Sequence, residues 1–401
     1  MGPSRTKKVV VLAIASILSA ALAPALPSQA GAASPAGFVS PSSSAPGPSL
    51  SCEAAILIEW QTGAILCSKN AFRRMYPASI TKMMTALLAV EQGRLEDPVE
   101  VSREAAGQPG SSMYLKEGDV FSLEDLLFGL MLNSGNDAAW AIAEHIGGTT
   151  GRFSGMMNER AREIGAINTR FRNPHGLTDP DHYTTAFDLA LIARTCLKHP
   201  YFKRLVATKE KDVIDARQEV RIRLANTNRL LWAYLGADGV KTGTTESAGQ
   251  CLVASATRDG MRLLAIVLDA YDRWADAAEL LDYGFANYRV ARVAQAGEAL
   301  LTVRCAGAME PRVPVVCLTD LYACVPRYSF GIWIDLDLPQ ELRAPCPAGS
   351  LVGHATLRLG DQVVGQAELV TGGWVRKRTP AGVLVRAMSS LTRRLSALGV
   401  L

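Results

Sequence analysis

Three short motifs follow one another along the chain and together predict a serine nucleophile activated by a lysine. They are Ser79-Ile80-Thr81-Lys82, Ser134-Gly135-Asn136 and Lys241-Thr242-Gly243. Residues three apart share one face of a helix, so the hydroxyl of Ser79 and the amine of Lys82 are expected to lie side by side. A serine hydroxyl attacks well only when a base takes its proton. This spacing therefore predicts acyl transfer without a histidine.

Lys82 can take that proton only in its neutral form, which requires a lowered pKa. Burial and a nearby cation both lower the pKa of a lysine, and Lys241 is the candidate cation. We expect Ser134 to relay the proton to the leaving amine and Asn136 to hold the substrate amide. Asn133, Ser134 and Asn136 are also good capping residues for the helix that follows, so a local structural interpretation stands beside the catalytic one.

The third motif, extended by Thr244, predicts an edge strand that binds substrate. Gly243 lacks a side chain where a second backbone must approach. A peptide can add to such an edge as an extra strand. Lys241 and Thr242 offer donors to a terminal carboxylate. The backbone N–H groups of Ser79 and Thr244 are expected to face each other as an oxyanion hole.

The histidines show neither a catalytic-triad pattern nor metal-ligand spacing. His175 lies in Asn173-Pro174-His175-Gly176, which is typical of a loop. We interpret all of them as structural and expect neither a metal nor a cofactor. The set is His145, His175, His182, His199 and His354.

The elements around the motifs predict an α+β catalytic domain over residues 51–290. Apolar runs at 54–59 and 64–68 flank Gln61-Thr62-Gly63 and predict a hairpin. Strands at both ends of the domain with helices between them predict one antiparallel sheet layered with helices and carrying a helical insertion. The predicted helices cover 79–91, 123–132, 137–145, 151–165, 185–198 and 272–288, and the later strands cover 239–246, 251–257 and 261–268.

Residues 291–375 differ from the preceding domain in their hydrophobic pattern and predict a small all-β domain. Short apolar runs separated by Gly and Pro occur at 300–305, 312–318, 330–336 and 355–359.

The last segment, 376–401, predicts a basic amphipathic helix. Leucines and a methionine recur along one face, and arginines lie away from that face. This pattern is typical of a helix that lies on an anionic membrane. A helix packed on its own β-domain and a frayed tail are the alternatives.

The N-terminal residues 1–30 predict a secretory signal peptide. Basic residues precede an apolar run that ends in small residues. The run is short for a spanning helix, and an uncleaved anchor is the alternative. Residues 31–50 are Ser, Pro, Gly and Ala without charge, which predicts a disordered linker.

Charge and cysteine content exclude some function classes. The formal net charge is +4, but residues 1–30 carry three basic groups and residues 376–401 carry six, both without acids. The body between them is therefore mildly acidic, which argues against a nucleic-acid partner. No Cys-x-x-Cys pair occurs among the eight cysteines, so structural zinc is not expected. Disulfides and free thiols both remain open for an exported chain.

As a set, the motifs resemble those of the D-alanyl-D-alanine carboxypeptidases, the low-molecular-weight penicillin-binding proteins of the bacterial cell wall. The resemblance covers roughly 51–290, and places the domain in the β-lactamase/transpeptidase-like class. Residues 292–375 resemble the family's β-rich C-terminal domain, and the basic tail resembles its membrane-binding helix. Further similar segments are Glu117-Gly118-Asp119, Asn173-Pro174-His175-Gly176-Leu177, Asn226-Thr227-Asn228 and residues 236–243.

This resemblance implies a reaction, partners and a location. Ser79 would attack the bond between the last two D-alanines of a peptidoglycan stem peptide, release D-alanine, and form an acyl-enzyme that water hydrolyses. β-Lactams would acylate the same serine. The protein would be exported and act at the extracytoplasmic face of the bacterial membrane. Position 135 is Gly where many β-lactamases have Asp, and Thr244 bears on carboxylate recognition.

Other functions fit the same motifs. A serine β-lactamase shares the acylation residues but needs a deacylating water, and Glu159 and Glu163 are the candidates to hold it. A non-catalytic sensor of wall peptides or β-lactams is a second alternative, although the intact Ser79, Lys82 and Lys241 argue against it. Cleavage of cross-linked peptides and transpeptidation by the same serine remain open.

Overall fold

The structure is a computed structural model that describes residues 7–9, 47–217, 219–381 and 392. It divides into two compact units. One lies within residues 42–288, and the other within residues 1–41 and 289–401.

Strands are numbered along the chain. They are β1 (Lys7–Val9), β2 (Ala54–Glu59), β3 (Ile65–Lys69), β4 (Pro98–Glu100), β5 (Val120–Ser122), β6 (Glu210–Ile214), β7 (Arg221–Ala225), β8 (Ala237–Thr245), β9 (Gly249–Arg258), β10 (Met261–Ala270), β11 (Tyr288–Ala294), β12 (Ala299–Ala306), β13 (Arg312–Cys317), β14 (Leu321–Pro326), β15 (Ile332–Asp337), β16 (Glu341–Arg343), β17 (Leu351–Leu359) and β18 (Gln362–Thr371).

The α-helices are numbered in the same way. They are α1 (Lys82–Gln92), α2 (Arg103–Ala106), α3 (Leu123–Phe128), α4 (Asn136–Gly147), α5 (Thr150–Ile164), α6 (Ala186–Cys196), α7 (Pro200–Ala207), α8 (Leu230–Ala233) and α9 (Arg273–Asn287). A 3-10 turn (Ala78–Thr81) precedes α1, and a π-helical turn (Gly129–Asn133) follows α3.

The first unit is built on a five-stranded antiparallel sheet in the order β3-β2-β10-β9-β8. Every residue of β2 is buried, which requires cover on both faces of the sheet. Helices α6 and α9 pack on the sheet, and the other helices lie in the insertion between β3 and β8. The predicted α+β architecture is confirmed, and β8 is an edge strand.

Several elements differ from the sequence prediction in ways that bear on the site. The helix predicted over 79–91 begins as the 3-10 turn, and the helix predicted over 123–132 ends in the π-helical turn. The hairpin of β6 and β7 was not predicted. Each of its strands buries only one residue, Val213 in β6 and Leu224 in β7. One buried position per strand does not produce an alternating apolar pattern that would predict a strand.

The second unit is all-β in its described part, as the sequence predicted. A seven-stranded sheet has the order β1-β15-β17-β18-β13-β12-β16, and β11 pairs with β14. Inward residues of these strands, such as Val315, Leu357 and Leu369, form one apolar core.

The predicted terminal segments lie largely outside the described residues. In the signal region only Lys7–Val9 is described, as a strand antiparallel to β15, and in the linker only residues 47–50. Of the predicted tail helix, 382–391 and 393–401 lie outside the description. No helix in the described ranges is long and apolar enough to span a membrane. All eight cysteines fall within those ranges, and none of them forms a disulfide there.

Candidate active site

Ser79 and Lys82 meet at the junction between the 3-10 turn and α1. Side chains three residues apart eclipse each other in a 3-10 turn, which aligns them more closely than an α-helix does. The Nζ of Lys82 lies 3.1 Å from the Oγ of Ser79. Ser79 is partly exposed, whereas Lys82 is fully buried. The site therefore has a nucleophile open to solvent and a base shielded from it.

The amine of Lys82 has two further partners, and both can only accept hydrogen bonds. It donates to Oδ1 of Asn136 at 2.7 Å and to the backbone carbonyl of His175 at 2.8 Å. A neutral amine has two N–H groups and one lone pair. Its two N–H groups satisfy these acceptors, and the lone pair is left for the hydroxyl proton of Ser79. The contacts accommodate the uncharged form of the base, and an ammonium would satisfy the same three partners.

Burial also lowers the pKa of Lys82 well below 10.5. The second cause is the charge of Lys241, while Asp137 acts in the opposite direction. Removing an ammonium from water disfavours its charged form, and a second cation adds to that effect. Sequence and structure thus bring the two lysines together around Ser79.

Ser134 and Asn136 lie at the break between the π-helical turn and α4. Ser134 has a left-handed backbone (φ 62°), and its buried Oγ has no hydrogen-bond partner among the described residues. The Nδ2 of Asn136 donates to the carbonyl of Pro109 at 2.5 Å, which leaves Oδ1 facing Lys82.

The capping interpretation of this motif is wrong for α4. Its N-cap is Gly135, and no side chain makes the capping hydrogen bond. The Oδ1 of Asn133 instead accepts from the backbone of Ala225, at the end of β7. The break therefore directs Asn136 toward Lys82 rather than toward the helix terminus.

Strand β8 forms the opposite side of the site, and Gly243 sets its distance from Ser79. A Cβ on Gly243 would lie 3.1 Å from the backbone N of Ser79 and 3.1 Å from the carbonyl of Pro77. Only a residue without a side chain fits this approach comfortably. The edge strand and the nucleophile turn are therefore in near contact.

The polar side chains of β8 are held in different ways. The Nζ of Lys241 is buried without a hydrogen-bond partner in the described part of the chain. Burial, followed by the charge of Arg273, lowers the pKa of Lys241 to about 7. The Oγ1 of Thr242 lies 2.7 Å from the Oγ1 of Thr227, which fixes its orientation. Thr244 is exposed.

Arg273 is a site residue that sequence reasoning missed. Its guanidinium donates to the carbonyl of Gly243 at 2.9 Å, to Oγ1 of Thr244 at 2.7 Å, and to the carbonyl of Cys251 at 3.3 Å. It begins α9, and it reaches β8 past β9. No local motif predicts the role of Arg273, because its contact with β8 arises from the strand order of the sheet.

His175 contributes through its backbone and not through its ring. Its carbonyl accepts from Lys82, while the ring lies 5.9 Å from Trp140 in a stacked arrangement. Burial, and then the charge of Lys82, lowers the pKa of His175 to about 3. The ring is therefore neutral, and no sequence pattern indicates the carbonyl contact.

Glu159 and Glu163 do not enter the site. Both are exposed residues of α5, and Glu163 accepts from Arg160 on the same helix. The buried carboxylate nearest in sequence to the site, Asp137, accepts from Met113, Leu115 and the hydroxyl of Ser112. The described structure thus offers no carboxylate base beside Ser79.

The chain is similar to proteins of one family along most of its length. A family model described as D-alanyl-D-alanine carboxypeptidase matches residues 41–272. A model described as the C-terminal domain of penicillin-binding protein 5 matches residues 288–377.

Individual relatives show the same similarity. The D-alanyl-D-alanine carboxypeptidase DacF of Bacillus subtilis is 32% identical over 351 residues, covering 85% of this chain and 90% of DacF. DacC of Escherichia coli is 35% identical, covering 80% and 84%. The crystal structure of penicillin-binding protein 5 from Haemophilus influenzae aligns with a TM-score of 0.73 at 31% identity, covering 83% of this chain and 100% of that chain.

The loop that carries His175 can be tested through Gly176. Its φ is +91°, and an added Cβ would lie 1.8 Å from the carbonyl of Ala78, next to Ser79. We expect Gly176→Ala to slow acylation by a fluorescent penicillin about 100-fold, because a displacement near 1 Å is enough for such a loss.

Gly165→Ala is the matched control. Gly165 has a similar φ of +90°, but the nearest atom to an added Cβ is 3.9 Å away. It should lose about 1–2 kcal/mol of stability and acylate normally. A Gly176→Ala protein with a native near-UV circular dichroism spectrum and the wild-type acylation rate would contradict the close approach.

Proposed function

This chain belongs to the D-alanyl-D-alanine carboxypeptidase family, and we propose that Ser79 is the nucleophile with which it removes the terminal D-alanine of peptidoglycan stem peptides. The chain is a hydrolase, a serine peptidase of the penicillin-binding class. The observation that carries the assignment of roles is the set of three contacts at the amine of Lys82.

Acylation begins with the transfer of one proton. The hydroxyl of Ser79 gives its proton to the neutral amine of Lys82 as Oγ attacks the carbonyl carbon of the penultimate D-alanine. The backbone N–H groups of Ser79 and Thr244 are the proposed donors to the oxyanion, and each such donor contributes about 3–4 kcal/mol. The close approach of Gly243 to Ser79 supports this pairing.

Departure of the terminal D-alanine requires a proton on its amine. Ser134 is suited to pass it there from Lys82, since its buried hydroxyl has no other described partner. Loss of the amine leaves an ester on Ser79. Water then attacks the ester with Lys82 again as the base, which releases the shortened peptide and restores the enzyme.

The substrate carboxylate binds at the end of β8 in this proposal. Lys241 and Thr242 offer donors, as does the hydroxyl of Thr244, which Arg273 holds in place. Arg273 also places a permanent positive charge beside this position. A peptide that lacks the free carboxylate would lose these contacts.

Slow hydrolysis of β-lactams follows from the same geometry. A β-lactam acylates Ser79 through the same steps, but the amine released by ring opening stays attached to the acyl group. It would remain beside the ester, hinder the attack of water and make the ester persist. The exposed positions of Glu159 and Glu163 on α5 favour a carboxypeptidase over a β-lactamase.

The role of Ser79 is tested by mass spectrometry after incubation with penicillin and, separately, with a peptide ending in D-Ala-D-Ala. The wild-type protein should gain the mass of penicillin and release free D-alanine, and Ser79→Ala should do neither. Ser68→Ala, which changes an exposed serine on β3, should behave as wild type. Hydrolysis of a chromogenic cephalosporin at many turnovers per second would instead indicate a β-lactamase.

We further propose export and attachment to the membrane through the tail, with a catalytic domain at 51–290 and a β-domain at 291–375. The described base of the tail, Arg376, Lys377 and Arg378, is exposed and basic, and Trp374 beside it is 61% exposed. Cationic residues and tryptophan are typical of segments at an anionic membrane surface.

Deletion of 381–401 tests the tail and retains the backbone contacts of 376–378 with 307–309. The truncated protein should no longer sediment with vesicles that contain anionic lipid, while it cleaves soluble peptide normally. Full-length protein with Arg386, Arg393 and Arg394 changed to Glu should also dissociate, because the attraction is electrostatic. Unchanged sedimentation of the truncated protein would refute the attachment.

A further inference from the structure

We propose that Tyr114 is a substrate-binding residue that contacts the stem peptide on the N-terminal side of its D-Ala-D-Ala end. This proposal rests on the function proposed above and adds a specificity-determining contact to it. It follows from the exposure of the ring, the backbone conformation that displays it, and the attachment of its loop to the active site.

Tyr114 is largely open to solvent although the residues on both sides of it are packed. It is 85% exposed, whereas its neighbours Met113 and Leu115 are buried. Buried neighbours on both sides fix the backbone, so the exposure of Tyr114 does not come from a loosely packed segment. A large aromatic side chain that remains in water gains nothing for folding.

The backbone of Tyr114 is in a costly conformation, with a φ of +64°. In the described ranges, the non-glycine residues with positive φ that are neither Asn nor Asp are Ala78, Tyr114 and Ser134. Ala78 precedes the nucleophile, and Ser134 belongs to the second motif. Such strain costs about 1–3 kcal/mol and concentrates at functional sites. Tyr114 shares this property with two residues that shape the active site.

A buried carboxylate maintains the strained loop. Asp137 is fully buried and accepts from the backbone N–H groups of Met113 and Leu115, at 2.9 and 3.2 Å. It also accepts from the hydroxyl of Ser112, which in turn accepts from the N–H of Tyr114 at 2.7 Å. These bonds to a charged group flank Tyr114 on both sides and compensate for its strain.

The same loop is joined directly to the catalytic residues. The backbone N–H of Asn136 donates to the carbonyl of Ser111 at 2.7 Å, and its side chain donates to Pro109. Asn136 contacts Lys82. Tyr114 follows Ser111 by three residues, so its backbone lies within about 11 Å of that carbonyl, and a tyrosine side chain adds further reach.

The direction of the substrate determines which part of it meets Tyr114. Thr244 and Arg273 hold the C-terminal carboxylate at β8 in the proposed complex. The residues that precede the scissile bond leave Ser79 away from that end. In the proposed complex they run along Asn136 and the 109–115 loop, which Asn136 joins at Pro109 and Ser111. An exposed tyrosine there offers a flat apolar face to aliphatic side chains and peptide groups, and a hydroxyl for one polar contact.

The test compares substrates of two lengths. One is a stem pentapeptide ending in D-Ala-D-Ala, and the other is the acetylated dipeptide D-Ala-D-Ala alone. Tyr114→Ala should lower kcat/KM for the pentapeptide about threefold to tenfold, mainly through KM, and leave the dipeptide within twofold. Tyr114→Phe keeps the aromatic face and should retain most of the pentapeptide preference.

Two further variants separate binding from structure. Tyr114→Gly removes the ring and relieves the positive φ, so it should raise the melting temperature while it loses the same pentapeptide preference. Tyr271→Ala is the matched control, because Tyr271 is 88% exposed but lies between β10 and α9, outside the 109–115 loop. It should leave both substrates unaffected.

Distinct outcomes would overturn the proposal. An unchanged ratio of the two kcat/KM values in Tyr114→Ala, or an equal loss on both substrates, would show that the ring makes no contact with the longer peptide. A failure of the wild-type protein to release D-alanine from either substrate would instead refute the proposed function, and with it the role of Tyr114.

Discussion

The site depends on the hydrogen bonding of one buried amine. Lys82 is surrounded by the carbonyl of His175, the amide oxygen of Asn136 and the hydroxyl of Ser79. Two of these partners can only accept, and the third is able to donate. Such an environment accommodates a neutral amine, and it is burial beside Lys241 that makes the charged form unfavourable. The lysine can therefore act as a base at ordinary pH, and Ser79 needs no histidine.

The elements around Lys82 meet only because their backbones approach unusually closely. Gly176 leaves room for the carbonyl of Ala78, and Gly243 leaves room for the backbone of Ser79. Ala78, which precedes the nucleophile, also has a left-handed backbone. Backbone strain and missing side chains thus coincide at the nucleophile, where the packing of the surrounding unit has to maintain them.

The sequence predicted those parts of the fold and site that are encoded locally. Hydrophobic patterns placed the sheet strands and main helices, and motif spacing brought Ser79 and Lys82 together. The contacts of Arg273 and of the His175 carbonyl arise from strand order and loop packing, so no local pattern reports them. The helix-capping preference of serine and asparagine gave a wrong prediction at Ser134, because Gly135 occupies the N-cap of α4. The sequence does not predict the exposure of Tyr114, because its neighbours Met113 and Leu115 are apolar and buried.

The most direct test of the central claim is the pKa of Lys82 in the free protein. NMR titration of protein labelled with 13C at the lysine Cε, with the signal assigned by comparison with Lys82→Arg, measures it. We expect a pKa well below 10.5, and an increase when Lys241→Met removes the neighbouring cation. A pKa of Lys82 near 10.5 in the folded wild-type protein would contradict its role as the base.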